Sequence, residues 1–122
     1  MNIGTAIYTA LSANAPLVAL VGSRIYKLTA PQGAVAPYVV WQGISSNPGA
    51  VHVGATGATE RIYQFACFAA TAEAATAVRE ALIAALDGVA LGNGDTGTLE
   101  DDARDDYDEA LQLYRADADF HF

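Results

Sequence analysis

Residues 113–122 read "LYRADADFHF", in which apolar and polar side chains alternate from position 114 to the end. One face of this segment carries Tyr114, Ala116, Ala118, Phe120 and Phe122, and the other carries Arg115, Asp117, Asp119 and His121. A period of two is typical of a strand that buries one face and leaves the other in water. The segment therefore predicts an antiparallel strand that packs on a core.

Three further strands are expected. The antiparallel partner of the last strand is predicted at about Thr96 to Arg104, with "DDYDEAL" (105–111) as the turn. An earlier hairpin is predicted from "YVVWQGIS" (38–45) and "ERIYQFACFA" (60–69), which are rich in β-branched and aromatic residues. The loop from Ser46 to Thr59 has fourteen mostly small residues, and a loop of that length is usually functional or disordered.

Helices are predicted before each hairpin. Apolar residues spaced by three and four begin at Ile3, and Asn14 can cap a second short helix, so the two pieces form an elbow. "SRIYKL" (23–28) then reads as an extended link. "TAEAATAVREALIAALDG" (71–88) is a helix capped by Thr71, with Arg79 and Glu80 expected to face away from its apolar stripe.

The order helix, strand, strand, helix, strand, strand predicts an α+β fold. We expect an antiparallel four-stranded sheet of two hairpins, with the helices packed on one face, in a single domain over residues 1–122. The core is expected to rest on the few large apolar side chains of an alanine-rich chain. They are Ile7, Leu11, Trp41, Tyr63, Phe65, Phe68, Leu82, Leu86, Phe120 and Phe122.

Composition excludes several function classes. The chain has six basic and fourteen acidic residues, a net charge of −8, which disfavours a fixed grip on nucleic acid. No apolar run is long enough to predict a transmembrane helix, and the N-terminus lacks the pattern of a signal peptide. We therefore expect a cytoplasmic protein with no membrane partner. Its one cysteine, Cys67, is expected to be a small buried hydrophobe.

The acidic cluster near the end of the chain does not predict a catalytic or metal site. A calcium loop that began at Asp101 would place Asp106 where glycine is needed and Gln112 where glutamate is needed. Glu100 and Asp102 are expected on one strand face, but a small sheet offers them no cleft. A loose cation site among Asp105, Asp106 and Asp108 stays an alternative. His52 and His121 lack a partner at zinc-like spacing. We expect no cofactor.

Several motifs, in order, resemble the small tail-completion family of long-tailed phages. They are "ALVGSRIY" (19–26), "APQGAVAPYVVWQ" (30–42), "AVREALIAAL" (77–86) and "LEDDARDDYDEALQLYRADADFHF" (99–122). The most specific parts are "RIY" followed by P-x-G-x-x-x-P-Y, and D-x-Y-D followed by L-Y-R and D-F. The chain departs from the usual family pattern after D-x-Y-D, where "EALQLYR" stands in place of a glycine-containing turn.

The resemblance implies a structural role in virion assembly. Related tail terminators form a ring, commonly of six subunits, that caps the head-proximal end of the tail tube. The implied partners are other copies of the chain, the tail tube protein and the head-tail connector, while DNA passes through the channel without specific binding. The implied location is the host cytoplasm during assembly and then the head-proximal end of the virion tail.

Two groups of residues are candidates for this role. An acidic surface facing the channel or a neighbouring ring is expected from Glu100, Asp101, Asp102, Asp105, Asp106 and Asp108. A partner-contacting loop is expected from Asn47, Pro48, Val51, His52 and Val53. The alternatives are a connector or stopper on the head side, and a small enzyme that uses the C-terminal carboxylates with a divalent cation.

Overall fold

A computed structural model describes residues 2–48 and 59–122 of the chain. Within those ranges the chain forms three helices and five strands. In chain order they are α1 (Ile3–Ser12), α2 (Ala15–Val21), β1 (Ile25–Lys27), β2 (Tyr38–Pro48), β3 (Thr59–Ala69), α3 (Ala72–Leu86), β4 (Thr98–Asp108) and β5 (Leu113–His121).

The N-terminal elbow is formed by α1 and α2, which meet at 84°. An asparagine caps the start of each helix, because its side-chain oxygen accepts a backbone N–H of the first turn. Thr5 donates to Asn2 at 2.8 Å, and Leu17 donates to Asn14 at 3.0 Å. In the described part of the chain no single helix is long and apolar enough to span a membrane, although the bent pair of α1 and α2 together has the length and composition to do so.

The sheet has five strands in the order β1-β2-β3-β5-β4, so the prediction of four antiparallel strands was wrong. The link predicted over residues 23–28 contains β1, which pairs in parallel with β2 through Ile25↔Val39 and Lys27↔Trp41. The other neighbouring pairs are antiparallel. Three residues of mixed polarity give no strand periodicity, and β1 exists because the elbow carries the chain back alongside β2.

The three helices cover one face of the sheet, as predicted. Ile7, Leu17 and Leu82 from α1, α2 and α3 share one buried cluster with Trp41 and Phe65 of the sheet. Nine of the ten predicted core side chains are buried, and the tenth, Tyr63, packs against the cluster while partly buried. Phe68, however, lies on the opposite face, where it packs against Tyr38 with ring centroids 5.1 Å apart.

The environment of β5 corrects one expectation about the alternating segment. Asp117, expected on a solvated face, is 6% exposed, while Tyr114 is 39% exposed. β5 lies between β3 and β4 rather than at an edge, so its neighbours shield the Asp117 side. Tyr114 packs on its cross-strand partner Tyr107 of β4, with ring centroids 4.9 Å apart.

Candidate functional site

The acidic segment forms an edge strand rather than a turn. β4 continues to Asp108, so Asp105, Asp106 and Asp108 lie in the strand, and the turn predicted over 105–111 was wrong for residues 105–108 but is confirmed for 109–111. The connection to β5 is short, and Gln112 has φ of +55° where a glycine would be favoured. Asp108 closes the turn, because its side-chain oxygen accepts the backbone N–H of Leu111 at 3.0 Å.

The register with β5 divides the candidate carboxylates between two faces of the sheet. Asp101, Asp106 and Asp108 pair with Asp119, Arg115 and Leu113, which places them on the face away from the helices, here called the outer face. Asp105 pairs with Ala116 and lies on the helix face.

Two register shifts interrupt β4. The first lies between Leu99 and Asp101, and the second lies between Asp101 and Arg104. Glu100 and Asp102 fall at these irregularities and have no register partner in β5. Both side chains are exposed at the edge of the sheet. The structure therefore brings the six candidates to one edge strand but does not gather them at one point.

Arginines neutralise part of the outer face. Arg104 donates a hydrogen bond to Asp119, and its Nε lies 3.5 Å from a carboxylate oxygen of Asp101. Arg115 donates a hydrogen bond to Asp117 at 2.7 Å. The hydrogen bond to Asp117 is the main reason that the pKa of Arg115 is raised. Burial, together with repulsion from Asp101 and Asp117, raises the pKa of Asp119 above its ordinary value against the opposing effect of Arg104. The outer face of β4 and β5 thus carries five aspartates and two arginines.

Arg79 makes the contact between α3 and the edge strand. Its guanidinium donates to Asp105 at 2.7 Å and to the backbone oxygen of Arg104 at 3.4 Å. The expectation that Arg79 faces away from the packed side of α3 was wrong, because the residue is 8% exposed. Helical spacing alone could not reveal this, since the stabilising carboxylate is supplied 26 residues later in the chain.

The described residues do not assemble a metal or nucleophile site. Over residues 2–48 and 59–122, no three histidine, cysteine or acidic side chains lie where they could share a metal ion. Burial, with a further contribution from Asp117, raises the pKa of the Cys67 thiol, which is fully enclosed. A protonated, enclosed thiol is a poor nucleophile.

The hairpin of β2 and β3 projects beyond the rest of the sheet. β3 pairs with β5 only from Ile62 onward, whereas β2 and β3 stay paired to Pro48↔Thr59. The backbone oxygen of Arg61 still accepts the N–H of Phe122 at 2.9 Å, so two residue pairs, Asn47↔Glu60 and Pro48↔Thr59, form a two-stranded arm of about 7 Å at 3.4 Å per residue. Asn47 and Pro48 belong to this arm instead of a loop, which corrects the prediction for those two residues. Val51, His52 and Val53 lie outside the described residues.

The outer face also contains an aromatic groove that the sequence did not predict. It has a volume of about 520 Å³ and lies between residues 28–34 and the β4–β5 turn. Tyr38, Val40 and Phe68 form part of its lining, and Arg115 sits 5.6 Å from the Phe68 ring centroid. The alternation of Tyr38, Val40 and Gln42 with buried Val39 and Trp41 is the signal that could have indicated a second, partly apolar face.

Comparison with known proteins places these features in context. The family model described as "Tail completion protein gp17" matches residues 5–122. No curated protein matches the chain. A chain in a solved structure described as "Virion of native gene transfer agent (GTA) particle" is similar in fold, with a TM-score of 0.71 and 25% sequence identity. That match covers 98% of this chain and 91% of the other.

Proposed function

This chain belongs to the family of tail completion protein gp17, and we infer that it is a structural protein of a phage-like virion tail. We propose more specifically that it is a non-enzymatic tail terminator. In this role it forms a ring, commonly of six copies, that caps the head-proximal end of the tail tube and joins the tube to the head connector. The observation that carries the proposal is the family match over residues 5–122.

Exposed apolar side chains support assembly with other protein surfaces. Leu28 and Val35 lie in the segment before β2, and both are more than 60% exposed. Leu111, at the β4–β5 turn, is half exposed. A ring requires heterologous contacts between different patches of successive copies, and apolar surface left open in one copy can be buried in such contacts.

The outer face is proposed to line the DNA channel. Asp101, Asp106 and Asp108 lie on this face, and its five aspartates exceed its two arginines. Like charge repels phosphates, so a negative wall would let DNA pass without holding it. Electron cryomicroscopy of the assembled ring tests this proposal, which is contradicted if these carboxylates lie on the outer rim and basic side chains line the channel.

The arm formed by β2 and β3 is proposed to contact the tube or the connector. A two-stranded ribbon without flanking strands is only marginally stable in water, so the arm gains most from a partner. Asn47 and Pro48 lie on the arm, and Val51, His52 and Val53 follow in the segment that it carries. That segment, residues 49–58, has no Asp, Glu, Lys or Arg and is rich in alanine, glycine and valine, a composition suited to an apolar protein contact.

Removal of the chain from a producing host tests the proposed role. Without a terminator, we expect filled heads to accumulate beside separate tails whose tubes vary in length, and expression of the chain in trans restores joined particles. Normal tubes beside heads that lose their DNA would instead indicate a stopper on the head side. Joined, full particles without the chain would contradict both roles.

A further inference from the structure

Two of the six basic residues differ from the rest in their surroundings. Arg61, Arg79, Arg104 and Arg115 each form an ion pair with an aspartate. Arg24 and Lys27, within the described ranges, form none. Arg24 donates from Nε to the backbone oxygen of Pro37 at 3.0 Å, and Lys27 lies 5.5 Å from the Trp41 ring centroid. Arg24 directly precedes β1 and Lys27 is its last residue, and β1 is one edge of the sheet.

Lys27 opens onto a groove at that edge. The groove lies between α1 and β1, has a volume of about 430 Å³ and is lined in part by Asn2, Tyr8 and Trp41. Nζ of Lys27 reaches the start of α1, since a Cβ placed on Gly4 would lie 3.7 Å from it. The β1 edge is therefore concave and positively charged.

The opposite edge of the sheet is negative. Glu100 and Asp102 are exposed on β4, and in the part of the chain that the structure describes neither forms an ion pair with a basic side chain. The neighbouring helix adds to this charge, because Glu73 and Glu80 share the face of α3 that includes Thr76. Thr76 lines a small pocket together with Asp105, so this face turns toward β4.

We propose that successive copies of the chain join edge to edge, with the β1 edge of one copy against the β4 edge of the next. Arg24 and Lys27 would meet Glu100 and Asp102 of the neighbouring copy. This inference rests on the proposed ring and specifies how the ring closes. A contact between unlike edges is heterologous and can repeat around an axis, whereas a symmetric contact of two β4 edges would bring like charges together.

This arrangement uses surfaces that the proposed channel does not need. Edge-to-edge contacts leave the outer face of each sheet free, so its aspartates can line a channel. The charged edges also set the direction of assembly, since only one order of copies brings opposite charges together.

Zero-length cross-linking provides a direct test, because Lys27 is the only lysine in the chain. Chains with natural nitrogen are mixed with ¹⁵N-labelled chains, assembled alone or on tail tubes, and treated with a carbodiimide that joins amines to touching carboxylates. We expect mixed-label peptides that link Lys27 to Glu100 or Asp102. Rings whose mixed-label links from Lys27 reach only other carboxylates, or that give no such links, overturn the inference while leaving the proposed ring intact.

Charge exchange tests the same contact in function. We expect Lys27→Glu and Asp102→Lys each to lower the yield of rings roughly tenfold, since like charges then meet at every interface, and we expect the double exchange to restore it at unchanged net charge. Lys27→Arg is the matched control, which keeps the rings and loses the cross-link. Thermal melting confirms that each variant folds.

The outcomes distinguish failure of the edge-to-edge contact from failure of the proposed ring. Full ring yield in both single variants, or no recovery in the double exchange of folded protein, overturns the edge-to-edge contact. Absence of rings for the unmodified chain, both alone and on tail tubes, overturns the proposed function and this inference with it.

Discussion

The ion pair between Arg79 and Asp105 holds the edge strand against α3. The Arg79 side chain is 10% exposed, so a variant that removes its partner leaves a charge in a shielded site. Asp105 itself is largely exposed, which keeps the cost of losing the pair moderate. We therefore expect Asp105→Asn to lower the free energy of unfolding by about 1–2 kcal/mol. Urea denaturation measures the change.

Asp102→Asn is the matched control, since it makes the same chemical change on the same strand at an exposed side chain without an ion pair in the described structure. We expect its effect to stay within about 0.5 kcal/mol. Equal losses in the two variants would show that the Arg79 contact adds nothing specific.

Cys67 makes stability depend on pH in the alkaline range. Burial raises the pKa of this thiol above the ordinary value of 9.0, so the unfolded chain releases the proton first as pH rises. The contribution of this group to the free energy of unfolding is complete below the pKa of the thiol in the unfolded chain. Above that pKa it falls by about 1.4 kcal/mol per pH unit. Between pH 8 and pH 10 we expect the unmodified chain to lose about 1.4 kcal/mol more than Cys67→Ala, as measured by denaturant unfolding. Parallel pH profiles would contradict this.

Single positions show where sequence reasoning reaches its limit. The burial of Phe65 and Phe120 follows from period-two alternation and large apolar area, and the structure confirms it. Arg79 of α3 is shielded where it pairs with Asp105 of β4. Asp117 pairs with Arg115 of its own strand, but it is shielded because β5 lies between β3 and β4. Such shielding depends on strand order, which local periodicity does not encode.

The turn between β4 and β5 contains a strained position. Gln112 has φ of +55°, a conformation that glycine adopts at lower cost than other residues. We expect Gln112→Gly to raise the free energy of unfolding by about 0.5–1 kcal/mol, measured by urea denaturation. Leu111→Gly is the control, because Leu111 is not among the residues with positive φ and should gain nothing. A destabilised Gln112→Gly variant would contradict the explanation.

Residues 49–58, which the arm of β2 and β3 carries, should be dispensable for folding but not for joining. Replacing residues 49–58 by Asn-Gly connects Pro48 to Thr59 through a two-residue hairpin turn. We expect thermal melting to change little, because the described core lies elsewhere, and the fraction of joined particles to fall at least tenfold. As a control, two Ala→Gly substitutions within the same segment keep its length. Unchanged joining after the replacement would refute a contact role.

Helices and strands with strong local sequence patterns were predicted correctly, whereas those that depend on pairing with another strand were not. α3 is confirmed because Thr71 accepts the N–H of Ala74 at 3.1 Å and alanine fills the interior. β4 was predicted too short, since "DDYD" suggests a solvated turn whereas β5 supplies the pairing that keeps it extended. β1 was missed because its three residues form a strand only through contact with β2.

The molecule as a whole combines one helix-covered face, one acidic outer face and two sheet edges of opposite charge. Sequence composition predicted the negative charge and its bias toward the end of the chain. It could not predict that Arg24 and Lys27 lie at the edge opposite Glu100 and Asp102, because that placement follows from the strand order. The opposite charges of the two sheet edges therefore depend on the strand order as much as on composition.

We propose that the chain caps a tail tube as a ring. The most direct test is negative-stain microscopy of the purified chain mixed with its preassembled tail tubes, with the head connector added in a parallel sample. We expect a ring with an open centre at one end of each tube and no further growth at that end. Tubes with both ends bare, while the chain decorates the connector alone or nothing, would contradict it.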